Sequence, residues 1–170
     1  MTISRRAPGY HDQARIIREV PQTAVGQRNR SSRVFRQMGT IGEMIELPGL
    51  KVTVDRLLYQ RLRADQSDKP HSFIYFISIH NHSPVPVTLR GRKWVVTHED
   101  DTVLVVEGDG VVGETPLIEP GGKFSYNSRH IIGTNSAVAE GSYLGVDDTG
   151  RCVVVRIPRF RMEVPGASEC

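Results

Sequence analysis

The chain has 170 residues and a mass of 19.0 kDa, with 38% hydrophobic and 24% charged side chains and a net charge of +3. That is enough for one domain with a buried core and some residues to spare. The longest apolar runs, such as FIYFI at 73–77, fall far short of the roughly 20 residues of a membrane helix, so no membrane insertion is expected. No apolar stretch follows Arg5 and Arg6 to make a secretory signal. Cys152 and Cys170 build neither a disulfide framework nor a C-x-x-C motif, which makes a reducing cytoplasm the expected location.

Taken in chain order, residues 1–46 read as a basic, mostly irregular arm. Its first 42 residues hold eight arginines against Asp12 and Glu19, a charge of +6, whereas residues 43–170 hold 14 basic and 17 acidic side chains, a charge of −3. HDQARIIREV (11–20) has the pattern of two or three helical turns stopped by Pro21, and the polar, breaker-rich stretch behind it has none. Such an arm is open to three readings: a solvated tail, an arginine-rich contact for nucleic acid or an acidic partner, or a transit peptide.

Residues 47–166 read as one domain. LKVTVDRLLY (50–59), SFIYFISIHN (72–81), VPVTLRGRKWVVTHE (85–99), TVLVVEG (102–108), KFSYNSRHII (123–132), AVAEGSYLGVDD (137–148) and RCVVVRIPRFRMEV (151–164) are rich in β-branched and aromatic residues. Gly, Pro, Asn and Asp fill the gaps, with HEDD (98–101) and DDTG (147–150) reading as hairpin turns. Seven short strands without a long helical pattern imply an all-β, antiparallel sandwich. Val87 and Leu89 share one strand face, while Trp94 and Val96 are apolar on the opposite parity. Val153, Val155 and Ile157 give way to Phe160 and Met162 in the same manner. Side chains alternate with period two, so an extra residue is needed near Gly91 and another near Pro158 to keep both halves inward. Trp94 and Tyr143 are then expected in the core.

VEGDGVVGETPLIEPGG contains a G-x-G-x-x-G formed by Gly108, Gly110 and Gly113. A dinucleotide fingerprint needs a helix after the glycines, and Pro116 and Pro120 prevent one. No Lys-Ser or Lys-Thr follows, so it is not a Walker loop. Two readings stay open: glycines that shape turns, or a helix-free anion nest that would bind phosphate or nucleotide against the repulsion of Glu107, Asp109 and Glu114.

The motifs around this loop resemble the ApaG family. Arg92 and Trp94 form its R-x-W strand, and Gly108, Gly110, Val111, Val112, Gly113 and Pro116 its G-x-G-V-V-G-x-x-P loop. Pro120, Gly121, Tyr126 and Ser128 form its P-G-x-x-x-x-Y-x-S segment, and Gly141 and Tyr143 its G-x-Y strand. Ile157, Pro158 and Phe160 close the pattern. The likeness covers roughly residues 49–165, with Arg129 where glycine is usual and His80 where arginine is frequent. The resemblance implies a fibronectin type III/immunoglobulin-like sandwich. It also implies an interaction module, found alone in bacteria and attached to larger eukaryotic proteins, and a link of bacterial members to Co²⁺/Mg²⁺ efflux. It implies no catalytic set.

Among the histidines, His80 and His82 stand two apart on a strand and face one way, close enough to share a Co²⁺ ion. The acidic ligand that a cupin would place about four residues on is absent. Glu99, Asp100 and Asp101 are oxygen ligands suited to Mg²⁺, or simply a solvated turn. Arg90, Arg92, Lys93 and Arg129, and also Arg156, Arg159 and Arg161, offer a basic surface or cross-strand partners for the acids. Ser128 near His130 is the one local pairing of nucleophile and base, and its spacing lacks the geometry for nucleophilic catalysis. The expectation is a non-enzymatic module with an unidentified protein partner, a homodimer being open. The alternatives are a metal-binding component of Co²⁺/Mg²⁺ homeostasis, with no other cofactor, and a phosphate or nucleotide binder.

Overall fold

The computed structural model describes residues 43–167. The helical turns expected over 11–20, and the arm up to residue 42, lie outside the described residues. Nine strands follow in order: β1 (Ile45–Glu46), β2 (Leu50–Arg61), β3 (His71–Asn81), β4 (Val87–His98), β5 (Val103–Asp109), β6 (Leu117–Ile118), β7 (Lys123–Ile132), β8 (Ser136–Asp147) and β9 (Cys152–Glu163). The seven long ones coincide with the seven expected segments to within two residues at either end. Among the described residues there is no helix, and so none long and apolar enough to cross a membrane.

The strands form two sheets, β1-β9-β8-β4-β5 with β6 also on β4, and β2-β3-β7. Every pairing is antiparallel except the two-residue β1–β9 contact, which is parallel. This is a fibronectin type III/immunoglobulin-like sandwich. Its two tightest hairpins share one design. In HEDD the Asp101 N–H donates to the His98 carbonyl at 3.0 Å and the His98 N–H to that of Thr102 at 2.8 Å, with Asp101 at φ +62°. In DDTG the Gly150 N–H donates to Asp147 and the Asp147 N–H to Arg151, with Gly150 at φ +82°. A left-handed residue at the third loop position matches the twist of the flanking strands.

Both expected bulges are present. The register of β4 on β8 skips Arg90, between Leu89 and Gly91. On β9, Pro158 and Arg159 lie opposite the single residue Glu140 of β8, between the Ala139–Phe160 and Gly141–Ile157 pairs. A third bulge occurs at Asp55, between Val54 and Arg56 of β2. Each restores the inward parity of the apolar residues beyond it. The core joins Phe73, Tyr75, Ile77 and Ile79 of β3 to Leu89, Trp94 and Val96 of β4, Ala139 and Tyr143 of β8, and Val153, Ile157 and Met162 of β9. Trp94 and Tyr143 are both fully enclosed, as expected. Trp94 sits among Tyr75, His130 and Phe160, with ring centroids 5.0, 4.9 and 6.0 Å away.

Candidate functional site

β5 and β6 pair with the same margin of β4, at Gly91–Thr97 and at Val87–Thr88 respectively. The glycine segment is therefore an excursion within one interrupted edge strand. It leaves after Asp109, and Gly110 donates its N–H to the Arg90 carbonyl at 2.6 Å. Val111 then plugs the core with no exposed surface. Val111 and Glu114 exchange N–H···O=C bonds of 2.7 and 3.0 Å around Val112 (φ +53°) and Gly113 (φ +78°). Positive φ at both central residues is the geometry of a tight mirror-image turn, and Val112 adopts it despite its β-branch.

Gly108 and Gly110 have separate reasons to be glycine. A Cβ on Gly108 would lie 2.8–2.9 Å from the guanidinium of Arg92, which packs across it. A Cβ on Gly110, at φ +64°, would stand 2.3 Å from the Glu114 carbonyl oxygen. Arg92 Nη1 donates to the carbonyls of Gly110 at 3.0 Å and Asp109 at 3.3 Å. The loop thus receives a cation from its own sheet, and the amides of Gly110, Val111 and Glu114 are engaged with carbonyls.

Arg92 shares the inward parity of Trp94, so it is not part of a basic surface. Its charge faces Tyr75, Tyr126 and Tyr143, and the last two join hydroxyl to hydroxyl. Desolvation raises all three phenols, Tyr75 to about 12 and the other two well above the ordinary range, although Arg92 pulls each the other way. Ser128 also faces inward and bonds to Tyr75. His130 lies buried between Tyr75 and Trp94 with Nε2 unpartnered, and desolvation, helped by nearby His98, lowers its pKa to about 4. The Ser128 hydroxyl serves a phenol, and the imidazole two residues on is held neutral.

His80 and His82 do come together, their rings stacked at 5.7 Å with an interplanar angle of 11°. His80 Nε2 meets Thr53 Oγ1 at 3.3 Å. Thr53 in turn donates to Asp55, which also accepts from Ser78. Lys51 and Lys123 flank His80 in register on the neighbouring strands. Among the described residues no three His, Cys, Asp or Glu side chains are placed to hold a metal ion. Asp100 accepts from the Thr102 amide and hydroxyl, which lower its pKa, so one acid of the HEDD turn has a capping role.

The other basic side chains separate. Lys93 pairs cross-strand with Glu107 at 3.2 Å, Arg156 with Glu46 at 2.7 Å and Arg161 with Glu163 at 3.1 Å. Arg129 has the parity of Ile74, on the outer face of the smaller sheet. No single basic surface gathers Arg90, Arg92, Lys93 and Arg129.

A family profile described as the ApaG domain matches residues 61–147. Protein ApaG of Sodalis glossinidius is 38% identical over 122 residues, which cover 72% of this chain and 97% of that one. The chain belongs to the ApaG family. Protein ApaG of Vibrio cholerae is 37% identical over 124 residues, 71% of this chain and 95% of the relative. The crystal structure of the putative ApaA protein from Bordetella pertussis superimposes with a TM-score of 0.59 at 30% identity, covering 71% of this chain and 99% of that one.

One feature of this ApaG domain was not foreseen as a site. β5 ends the strand order of the larger sheet, and among the described residues nothing pairs with its far side. Val103 is 58% exposed and Val105 37% exposed. Because Thr102 turns its carbonyl to His98, the antiparallel alternation turns residues 104, 106 and 108 toward β4 as well. Val103, Val105 and Glu107 therefore aim their backbone N–H and C=O groups outward. In the sequence, TVLVVEG shows a strand; only the pairing shows that it is an edge.

Proposed function

We propose that the chain is a non-enzymatic protein-interaction module that receives an extended segment of its partner along β5. The observation that carries this reading is the free margin itself: exposed valines with outward-facing backbone groups, on the strand that ends the larger sheet. Strand addition uses such an edge, with main-chain bonds for affinity and alternate side chains for selection. The interior arrangement supports the non-enzymatic part, since Ser128 is bonded to Tyr75 and His130 is sealed in the core. The test is affinity capture with the full chain against Val105→Pro. Proline at 105 removes an outward N–H without removing a β4–β5 bond, so the sandwich is retained. Partners captured by the unaltered chain and lost from Val105→Pro support the reading, and an identical captured set overturns it.

A direct role in divalent-metal homeostasis is a second reading, favoured by the stacking of His80 on His82. Calorimetry with Co²⁺ should then show a site that the His80→Ala/His82→Ala variant lacks and that weakens below about pH 6 as free imidazoles protonate. Absence of heat at millimolar Co²⁺ removes it.

A further inference from the structure

We infer that the outer face of the smaller sheet binds single-stranded nucleic acid, on a surface separate from the β5 edge of the larger sheet. In the run FIYFI, Phe73, Tyr75 and Ile77 join the core, whereas Ile74 and Phe76 do not. Along β3 only Ile74, Phe76 and His80 are partly exposed. Period-two alternation puts the rings of Phe76 and His80 on the outer face, and His82 extends the row with its ring stacked on that of His80. Cations stand on both sides of this row. Lys51 of β2 and Lys123 of β7 are in register with His80, and two strand spacings set their backbones about 10 Å apart. Arg56 is in register with Phe76 and lays its guanidinium over the ring, 5.9 Å from the centroid. Lys51, Arg56 and Lys123 are all exposed, and among the described residues no carboxylate pairs with any of them.

The charge of this face is opposite to that of the body. Lys51, Arg56, Lys123 and Arg129 stand against Asp55 alone, although residues 43–170 together carry −3. Asp55 is itself turned to the hydroxyls of Thr53 and Ser78. On the outer face of the larger sheet, by contrast, Lys93, Arg156 and Arg161 each have a carboxylate partner. A row of rings between cations suits an unpaired strand, whose bases stack on the rings while its phosphates meet the cations. An acidic peptide would engage the cations but bring no bases to the rings. Stacking and phosphate contact are common to RNA and DNA, so the face does not select the sugar.

The experiment uses the full chain and fluorescein-labelled decathymidylate, followed by polarisation and by amide shifts in β2, β3 and β7. Two controls of matching length are an abasic sugar-phosphate strand, which keeps the phosphates without the bases, and decaglutamate. Saturable binding of decathymidylate is expected, at least tenfold tighter than either control, with shifts around Lys51, Phe76, His80 and Lys123. Phe76→Leu keeps an apolar side chain and removes the ring, and should weaken binding about fivefold or more. Lys51→Gln/Lys123→Gln removes two phosphate contacts and should flatten the dependence of log affinity on log salt by about 1.4. Equal binding of decathymidylate and the abasic strand overturns the inference, because the rings then contribute nothing. Decaglutamate bound as tightly on the same amides overturns it in favour of an acidic peptide. Binding that leaves these amides unmoved is held elsewhere, the arginine-rich first 42 residues included, and overturns it as well. So does the absence of saturable binding at low salt. Capture by Val105→Pro tests β5 independently of all these outcomes.

Discussion

Acidification should weaken this sandwich through His130. The imidazole is 4% exposed, tilted against Tyr75 at 4.8 Å and edge-on to Trp94 at 4.9 Å, and its pKa falls from the ordinary 6.5 to about 4. As pH drops below 6.5 the unfolded chain takes up this proton and the folded chain does not, until about pH 4. Stability from the neutral, buried ring is therefore complete above pH 6.5, is lost progressively through that window, and stops changing below it. The gap corresponds to about 3 kcal/mol, a large share of the roughly 5–15 kcal/mol of a typical domain. His71 and His98, also lowered by burial, add to the same slope. The assay is urea unfolding at pH 7, 6, 5 and 4, for the unaltered chain and for His130→Phe, which keeps a ring in the aromatic slot but carries no proton. The midpoint should fall with pH in both, more steeply by about 3 kcal/mol in the unaltered chain, at constant slope in urea. Identical pH dependence in the two proteins, or an NMR titration of His130 near pH 6.5, refutes the reasoning.

Other substitutions have defined outcomes. Gly110→Ala meets both a left-handed φ and the Glu114 carbonyl, and should cost about 3 kcal/mol by chemical denaturation. Gly113→Ala, with open space around it, should cost only about 1–2 kcal/mol. Asp101→Gly relieves a non-glycine residue at φ +62° in the β4–β5 hairpin, and calorimetry should show a gain of about 0.5–1 kcal/mol. Trp94→Ala opens the centre of the aromatic cluster and should cost about 3–5 kcal/mol, measured by urea unfolding.

The strands were legible because their apolar residues alternate, and the bulges at Arg90 and Pro158 because that alternation changes parity. The same signal marks Asp55, where Leu50 and Val52 give way to Leu57 and Tyr59, and it went unread. Arg92 was also legible in principle: R-x-W-x-V puts a cation on the core face, yet charge alone suggests surface. Its destination, the hollow over Gly108, depends on two strands meeting in register, which spacing within either strand does not reveal. The nearness of His80 to His82 follows from local geometry. The edge status of β5 and the two-residue parallel contact of β1 follow from long-range strand order, which local pattern does not encode.

Because β5 and β6 run along one margin of β4, the chain departs from the sheet after Asp109 and returns to it near Pro116, whose carbonyl accepts from Leu89 at 3.0 Å. Val111 and the Arg92 clasp hold the departure, and Leu89 holds the return. What passes between, Val112 to Thr115, is invisible to the register of either sheet. Once the tight turn is opened into a flexible loop, each further doubling of its length costs only about 0.6 kcal/mol. The turn is therefore a natural graft point: a foreign peptide spliced after Gly113, around which space is open, would be displayed beside β5, while Val112 keeps its place against the core.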